Sequence, residues 1–403
     1  MALMPVADAL AAILRGAEPL AEEMVALDAA YHRVLARDAA ALRTQPPQAM
    51  SAMDGYAVRA ADASDLDARL TVIGEVAAGR PFDKAVGAGE AVRIFTGGVI
   101  PEGADAVIIQ EDTLVDGRRI AITEAAMAGR HIRPAGVDFS TGDVLLAAGS
   151  RLTDRDLSLA AGMNYPELAV RRRPKVAILA TGDELVMPGS TPGPGQIVYS
   201  NGYALRALTR AEGAETIDLG IAADTVPATT QGIRRARDSG ADILITTGGA
   251  SVGDHDLVKQ SLEAEDVTMA FWKIAMRPGK PMMHGRLKGM RVIGLPGNPV
   301  SSYVCGYLFL VPLIRALSGS ADVHHLRERA LLGRDVGEND QREDYLRARL
   351  ETRADGALIA VPVDHQDSSL LANLAAARAL VIRAPFAKAA AKGSVCEILR
   401  LPA

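Results

Sequence analysis

The spacing of apolar residues changes several times along the chain. At the start it follows a helical period, with one stripe formed by Ala9, Leu10, Ile13 and Leu14, and predicts a helical lead-in over residues 5–40. Between residues 46 and 142, short apolar runs separated by glycines predict a β-rich insert. These runs cover residues 70–73, 91–95, 106–109 and 120–122. Helix returns where Thr153 and Asp156 have the spacing of a capping box, and we expect the helices on both sides of the insert to pack together.

From residue 175 the pattern alternates between strand and helix. Short β-branched and aliphatic runs cover residues 176–180, 216–219 and 242–245. The first intervening helix is capped near Asn201, and Thr225 with Pro227 opens the second. This alternation predicts a parallel sheet covered by helices on both faces, in which ligands bind beyond the carboxyl ends of the strands.

Short strands return after about residue 318 and predict a small β-barrel. The runs cover residues 330–336, 345–350, 357–361, 380–382 and 395–399. The predicted fold class is therefore multidomain α/β plus β, in four parts. These are a helical linker domain (1–45 and 143–173), a β-rich insert (46–142), an α/β domain (174–318) and a C-terminal β-barrel domain (325–403).

Composition narrows the classes of function. The 403 residues carry a net charge of −5, which does not favour a nucleic-acid partner. The two cysteines, Cys305 and Cys396, are far apart, as is usual in a reducing compartment. The N-terminus lacks the basic start of a signal peptide, and the apolar run at residues 303–314 is shorter than the roughly 20 residues of a membrane span. We therefore expect a cytoplasmic protein with no membrane association.

The candidate chemistry begins at residues 241–256, where an apolar run ends in Gly248 and Gly249 and is followed by Asp254 and Asp256. Glycines at such a turn let a phosphate approach the backbone N–H groups, although a capped strand-turn-helix has the same pattern. Other acids follow the two preceding strands: Asp183 with Glu184, and Asp224. Each could be a helix cap or a solvated charge, but acids gathered at one edge of a sheet repel one another unless a cation joins them. Carboxylate oxygens with open water positions suit Mg²⁺.

Basic residues follow in the same part of the chain. Lys273, Arg277 and Lys280 precede a Pro-Gly turn at residues 295–299, which opens the helix that contains Ser301. Basic side chains and a glycine-containing turn at a helix start are what an anionic ligand requires. For either Pro-Gly segment alone, at residues 278–279 or 296–297, an ordinary turn without a ligand accounts equally well for the sequence.

Seven motifs, in this order, span nearly the whole chain. They are SAMDGYAV (51–58), RIFTGG (93–98), GADAVI (103–108), ATGDEL (180–185), TTGGASVGDHD (246–256), RPGKP (277–281) and LPGNP (295–299). The set resembles the bacterial molybdopterin molybdenumtransferases, which are related to the E domain of gephyrin. The resemblance implies a molybdopterin-binding α/β domain and a homodimer with sites at the subunit junction. It also implies magnesium-dependent insertion of molybdate into adenylylated molybdopterin, with release of AMP and the molybdenum cofactor, and a possible partner in the adenylyltransferase that supplies the substrate.

The resemblance also implies the site residues. Those matched as catalytic are Asp54, Thr96, Asp138, Glu184, Asp224 and Asp256, of which Glu184, Asp224 and Asp256 are assigned to the metal. Those matched as substrate-binding are Gly248, Gly249, Ser251, Lys273, Arg277, Lys280, Ser301, Arg342 and Ser368. Two positions depart from the family pattern: Arg277 stands where lysine is frequent, and Asp367 stands where glycine is common beside Ser368.

Two other classes of function remain open at this stage. A molybdopterin adenylyltransferase with the same α/β fold would consume ATP and would leave the insert and the barrel without a role. A gephyrin-like scaffold protein would bind other proteins whether or not Asp224 is present. The sequence has no evident Ser-His-Asp or Cys-His pair, so we do not expect a covalent enzyme intermediate.

Overall fold

A computed structural model describes residues 3–77, 79–248, 257–271 and 273–402. The first part of the chain contains two α-helices and twelve short strands within these residues. They are α1 (Val6–Leu14), β1 (Glu22–Ala26), β2 (Ala39–Ala40), β3 (Met50–Ser51), β4 (Gly55–Val58), β5 (Arg69–Val76), β6 (Glu90–Ile94), β7 (Ala106–Ile109), β8 (Thr113–Asp116), β9 (Arg119–Ile122), β10 (Ile132–Arg133), β11 (Val144–Leu146), α2 (Asp154–Gly162) and β12 (Glu167–Arg171).

The helical lead-in predicted over residues 5–40 is wrong beyond its first turns. α1 ends at Leu14, Gly16 follows with φ of 61°, and residues 22–26 form β1, which pairs antiparallel with β12. The expected packing of α1 against α2 is also wrong, because Ala9 and Ile13 of α1 are buried in the core of the α/β part. A helical stripe shows that one face is buried, and it does not show against what.

The two remaining predictions for this part are confirmed. α2 begins at a complete capping box, in which the Thr153 hydroxyl accepts from the Asp156 N–H and the Asp156 carboxylate accepts from the Thr153 N–H. Residues 46–142 fold as β structure around a six-stranded sheet of order β7-β4-β6-β5-β9-β8. Both faces of this sheet are apolar: Tyr56 and Val58 are buried in one core, and Ala57 in another.

The α/β part comes next and contains nine strands, five α-helices and one π-helical turn within the described residues. They are β13 (Lys175–Thr181), β14 (Leu185–Val186), β15 (Ile197–Val198), α3 (Asn201–Ala211), β16 (Glu215–Ala222), α4 (Val226–Asp238), β17 (Ile243–Thr247), α5 (Leu257–Ala264), β18 (Thr268–Phe271), β19 (Met276–Arg277), β20 (Met283–Leu287), β21 (Met290–Leu295), α6 (Pro299–Cys305), a π-helical turn (Gly306–Leu310) and α7 (Val311–Leu317).

The main sheet of this part has the order β16-β13-β17-β21-β20-β18. The first four strands are parallel, as predicted, but β20 runs antiparallel to β21. The sheet is therefore mixed, because the two residues between Leu287 and Met290 return the chain directly. Residues of α3, α6, α7 and α1 pack on one face and residues of α4 and α5 on the other, so the predicted covering of both faces is confirmed.

The helical stretch Pro299–Leu317 forms the centre of the first of these cores. Within the described residues it is the one helix long and apolar enough to cross a membrane, with a mean hydropathy of 1.6 in its most apolar window. Of that window, 83% is buried inside the protein. Such burial is typical of a core helix.

The last part is a closed barrel of five strands. Its elements are β22 (Arg327–Leu332), β23 (Glu343–Thr352), β24 (Leu358–Pro362), α8 (Leu371–Ala376), β25 (Ala379–Arg383) and β26 (Val395–Arg400). The pairings run β23-β24-β22-β26-β25 and return to β23, which confirms the predicted small barrel. β19 of the α/β part pairs with β23, so backbone hydrogen bonds join the two parts. The four domain boundaries given from the sequence stay predictions.

Candidate active site

A cleft of about 650 Å³ lies at the carboxyl edge of the α/β sheet. Its walls are the ends of β13, β17 and β21, the starts of α3 and α6, and a loop of the barrel. The residues that line it are Thr181, Glu184, Leu185, Ile197, Val198, Tyr199, Ser200, Asn201, Thr247, Gly248, Pro281, Pro296, Gly297, Asn298, Pro299, Ser301, Ser369 and Leu371. This is the position at which parallel α/β sheets bind ligands.

The turn after β17 requires a glycine. Gly248 has φ of 88°, and a Cβ atom at this position would lie less than 3.0 Å from the Thr181 carbonyl oxygen. The absence of a side chain therefore lets the end of β17 lie against the end of β13. The next predicted residues, Gly249, Ser251, Asp254 and Asp256, lie outside the described residues.

Two side-chain amides hold the wall formed by the Pro-Gly turn. Asn201 Nδ2, at the start of α3, donates to the Gly297 carbonyl at 2.7 Å. Asn298 Nδ2 donates to Ser368 Oγ at 2.9 Å, and the Ser368 carbonyl accepts from the Val300 N–H at 3.0 Å. Ser368 thus anchors a loop of the barrel to the first turn of α6, while Ser301, which is buried, lines the cleft.

Two residues of the cleft wall have unpaired hydroxyl groups. Thr181 Oγ1 and Tyr199 Oη are buried, and neither has a hydrogen-bond partner among the described residues. Burial raises the pKa of Tyr199 to about 12, so its phenol is neutral at physiological pH. Buried hydroxyls without partners are uncommon, because each leaves a desolvated polar group unsatisfied.

Two of the carboxylates assigned to a metal are described, at the ends of neighbouring strands. Glu184 is exposed at the cleft, and its oxygens lie 2.7 and 2.8 Å from the place of a Cβ on Gly182. Asp224 follows β16, and its N–H donates to Asp183 Oδ1 at 3.1 Å, which joins the strand ends. Within the described residues no three metal-ligating side chains form a group. Mg²⁺ is commonly bound by only one or two carboxylates, with water and substrate phosphate as its other ligands. The carboxylate oxygens of Glu184 and Asp224 are therefore the type of ligand that this ion takes.

The predicted anion-binding arginines are paired with carboxylates of the barrel. Arg277 Nε donates to Asp344 Oδ1 at 2.5 Å, and its Nη1 lies 3.4 Å from Asp340 Oδ2. Arg342 Nη2 donates to the same Asp340 oxygen at 2.7 Å. The hydrogen bonds from Arg342, and then the charge of Arg277, lower the pKa of Asp340 to about 2. The two predicted lysines lie on either side of β19, where the Ile274 N–H donates to the Lys280 carbonyl at 3.1 Å and brings the backbone next to Lys273 close to that of Lys280.

Arg347 was missed by the sequence analysis. It is buried on the outer face of the barrel, since Leu346 and Ala348 on either side of it face the barrel core, and its Nη2 donates to the Asp367 carbonyl at 3.2 Å, directly before Ser368. Gln366 accepts from the Arg347 N–H at 2.9 Å and holds the same loop. Burial lowers the pKa of Arg347 to about 10. No local signal distinguished Arg347, because β23 also carries Glu343, Asp344, Arg349 and Glu351.

The predicted residues of the insert form a separate group. Asp54 Oδ1 accepts from both the N–H and the hydroxyl of Thr96, each at 2.7 Å. These two bonds, with a smaller effect of the Arg93 charge, lower the pKa of Asp54 from its usual value. Asp138 is exposed, and its N–H donates to the Gln45 carbonyl at 3.1 Å. Among the described residues that line the cleft, none belongs to the insert.

Comparisons with known proteins agree with this arrangement. Three family models match: the MoeA N-terminal region (domain I and II) over residues 4–163, a probable molybdopterin binding domain over 177–316, and the MoeA C-terminal region (domain IV) over 329–401. The molybdopterin biosynthesis MoeA protein of Pyrococcus horikoshii OT3 superposes with a TM-score of 0.86 at 28% identity, over 99% of this chain and 100% of that chain. Fold and cleft therefore define a molybdopterin-binding-type α/β protein with MoeA-type flanking domains.

Similar proteins of assigned function identify the family more specifically than the fold does. The molybdopterin molybdenumtransferase of Haemophilus influenzae is 41% identical over 302 residues, 75% of this chain and 74% of the relative. That of Bacillus subtilis is 34% identical over 385 residues, 94% of this chain and 89% of the relative. The chain belongs to the molybdopterin molybdenumtransferase family and is a transferase of molybdenum cofactor biosynthesis.

Proposed function

We propose that the protein inserts molybdate into adenylylated molybdopterin in a magnesium-dependent reaction that yields the molybdenum cofactor and AMP. The observation that carries this proposal is the cleft itself, which joins a glycine turn, two helix starts and a barrel loop at the carboxyl edge of the sheet. A cleft of about 650 Å³ is in the size range of sites for small ligands and cofactors.

The substrate is an elongated anion, and the cleft offers different chemistry along its length. Gly248, Gly249 and Ser251 are assigned to a phosphate of the substrate, and Lys273 and Lys280 would balance its charge. Ser301 and Ser368 add hydroxyls at the start of α6.

The barrel side would receive molybdate, which is also an anion. Arg342 and Arg277 carry the charge that molybdate requires, but both share Asp340, so their net attraction is weaker than that of free guanidinium groups. Arg347 would position the loop that carries Ser368 through its hydrogen bond to the Asp367 carbonyl.

Magnesium would be held by Glu184, Asp224 and Asp256. When bound, it would neutralise phosphate oxygens and polarise the P–O bond that breaks. The chain's own carboxylates orient the ion and water, and they are not suited to contact the anionic substrates directly, because like charges repel.

The site would be shared between two subunits of a homodimer. Asp54, Thr96 and Asp138 are matched to family site positions, yet no residue of the insert is among the described residues that line the cleft of the same chain. We therefore assign them to the cleft of the partner subunit. Asp54→Ala and Asp256→Ala homodimers should each be inactive, and mixed dimers should recover part of the activity in their one intact site. Mixed dimers without any turnover would contradict a shared site.

The reaction is tested by measuring AMP release from adenylylated molybdopterin. Release should require both molybdate and Mg²⁺, and ATP should not be consumed. Consumption of ATP with free molybdopterin would instead indicate an adenylyltransferase. Absence of both reactions, with protein binding unchanged in Asp224→Ala, would indicate a scaffold protein. We also propose a cytoplasmic location, which cell fractionation tests.

A further inference from the structure

Arg93 lies in an unusual environment beside Asp54 and Thr96. It belongs to β6, directly opposite Tyr56 of β4. Its guanidinium carbon lies 5.1 Å from the ring centre of Tyr56 and 4.8 Å from that of Phe95. Contact with two aromatic rings restricts a side chain that is otherwise flexible, since each ring face attracts the cation.

The donors of Arg93 hold the turn that carries Asp54. Nη1 donates to the Gly55 carbonyl at 3.1 Å, directly after Asp54. Nη2 donates to Gln110 Oε1 at 2.6 Å, and the Gln110 N–H in turn donates to the Asp54 carbonyl at 3.1 Å. The guanidinium group thus holds the peptide unit after Gly55 directly and the peptide unit before Gly55 through Gln110.

The turn has little freedom to adjust in another way. A Cβ on Gly55 would lie less than 3.0 Å from the Ile108 carbonyl oxygen, so the backbone is pressed against β7. Asp54 uses only Oδ1 to bind Thr96, and the described contacts leave Oδ2 for another group. The direction of that second oxygen depends on the orientation of the turn.

We propose that Arg93 is a positioning residue for the transfer reaction: it fixes the turn at Asp54 so that Asp54 and Thr96 present one carboxylate geometry to the substrate. This inference rests on the proposed function for its kinetic part only. Its structural part concerns Arg93, Asp54 and Thr96 alone.

The experiment compares three single variants of the full-length protein. Arg93→Met removes the charge and all donors. Arg93→Lys keeps the charge, so it controls for misfolding caused by loss of that charge. Its ammonium group cannot lie flat between two rings or form the two parallel hydrogen bonds of a planar guanidinium group. Arg59→Met is the matched control, because Arg59 follows β4 at its other end and has a partly exposed ion pair with Asp62 at 3.6 Å.

Crystal structures provide a readout that does not depend on activity. In Arg93→Met and Arg93→Lys the distance from Asp54 Oδ1 to the Thr96 N–H nitrogen should increase from 2.7 Å to beyond bonding range, while Arg59→Met should retain it. An unchanged Asp54–Thr96 geometry in both Arg93 variants would overturn the proposal. This result would be independent of which reaction the enzyme performs.

Kinetics provide the second readout. Both Arg93 variants should lower kcat for AMP release by about tenfold to a hundredfold, with KM for the pterin nucleotide nearly unchanged, because misplacing a reacting group acts on the chemical step. In a Thr96→Val background, Arg93→Met should cost clearly less than in wild type, since both changes act through Asp54. Full additivity, or complete rescue by lysine, would refute a positioning role. If wild-type protein releases no AMP, the proposed function fails, and the crystal structures still decide the role of Arg93.

Discussion

Substitution of Gly248 by alanine tests whether the glycine turn shapes the cleft. Two effects act at this position: the positive φ of 88°, and the approach of the Thr181 carbonyl to the place of a Cβ. Two other glycines separate these effects. Gly220 has a φ of 75° and open space around its Cβ position, whereas Gly297 has no positive φ and would meet only Gly248 Cα at 3.7 Å.

The magnitudes follow from these contacts. A left-handed backbone costs a residue with a Cβ about 1–2 kcal/mol, and the lower entropy of the unfolded alanine chain returns about 0.4–1 kcal/mol. Gly220→Ala should therefore lose about 0–1.6 kcal/mol, and Gly297→Ala should be neutral or slightly stabilised. Overpacking adds about 1–3 kcal/mol at Gly248, for a total loss of roughly 1–4.6 kcal/mol.

Thermal unfolding and AMP-release kinetics measure the two consequences. Gly248→Ala should lower Tm by roughly 2–4 °C per kcal/mol and raise KM for the pterin nucleotide, because the strand ends at Thr181 must separate. Gly220→Ala should lower Tm with KM unchanged, and Gly297→Ala should change Tm little. If Gly248→Ala had the Tm and KM of Gly297→Ala, the close approach to Thr181 would have no energetic weight.

Four single substitutions test the remaining predictions. Tyr199→Phe should keep or raise the free energy of unfolding and leave KM for the pterin nucleotide unchanged, because it removes an unpaired hydroxyl that is buried beneath the cleft surface; a clear loss of stability in urea would contradict this. Burial lowers the pKa of His325 from 6.5 to about 4, so the unfolded state binds the proton first and stability should fall as pH decreases from about 6.5 to 4. His325→Gln should flatten that part of the pH–stability curve. Asp256→Asn should raise the Mg²⁺ requirement but not abolish nucleotide binding, whereas Arg342→Ala should raise the molybdate requirement by about tenfold to a hundredfold with Mg²⁺ dependence unchanged; a shift of the Mg²⁺ curve in Arg342→Ala would contradict the assigned roles.

Local sequence signals predicted best those helices and strands whose formation depends on residues close together in the chain. The capping box at Thr153 specifies the start of α2 without help from the rest of the fold, because both of its bonds lie within four residues. The strand runs of the insert and the barrel were found because alternation and glycine punctuation are properties of neighbouring residues. α1 was found as a helix, but its packing partner was not, since its stripe is compatible with any apolar surface.

The sequence by itself determined the order of elements, the sheet edge at which the acids gather and the glycine that the turn after β17 requires. Tertiary structure alone decided which charges face each other. Arg277 meets Asp340, which also binds Arg342, because β19 pairs with β23, and Arg347 lies behind Ser368 because the loop after β24 folds back onto β23. Asp54 meets Thr96 across 42 residues because β4 pairs with β6 in the insert. Periodicity records which side of an element is buried, whereas ion pairs and site geometry depend on contacts between elements, which no local pattern encodes.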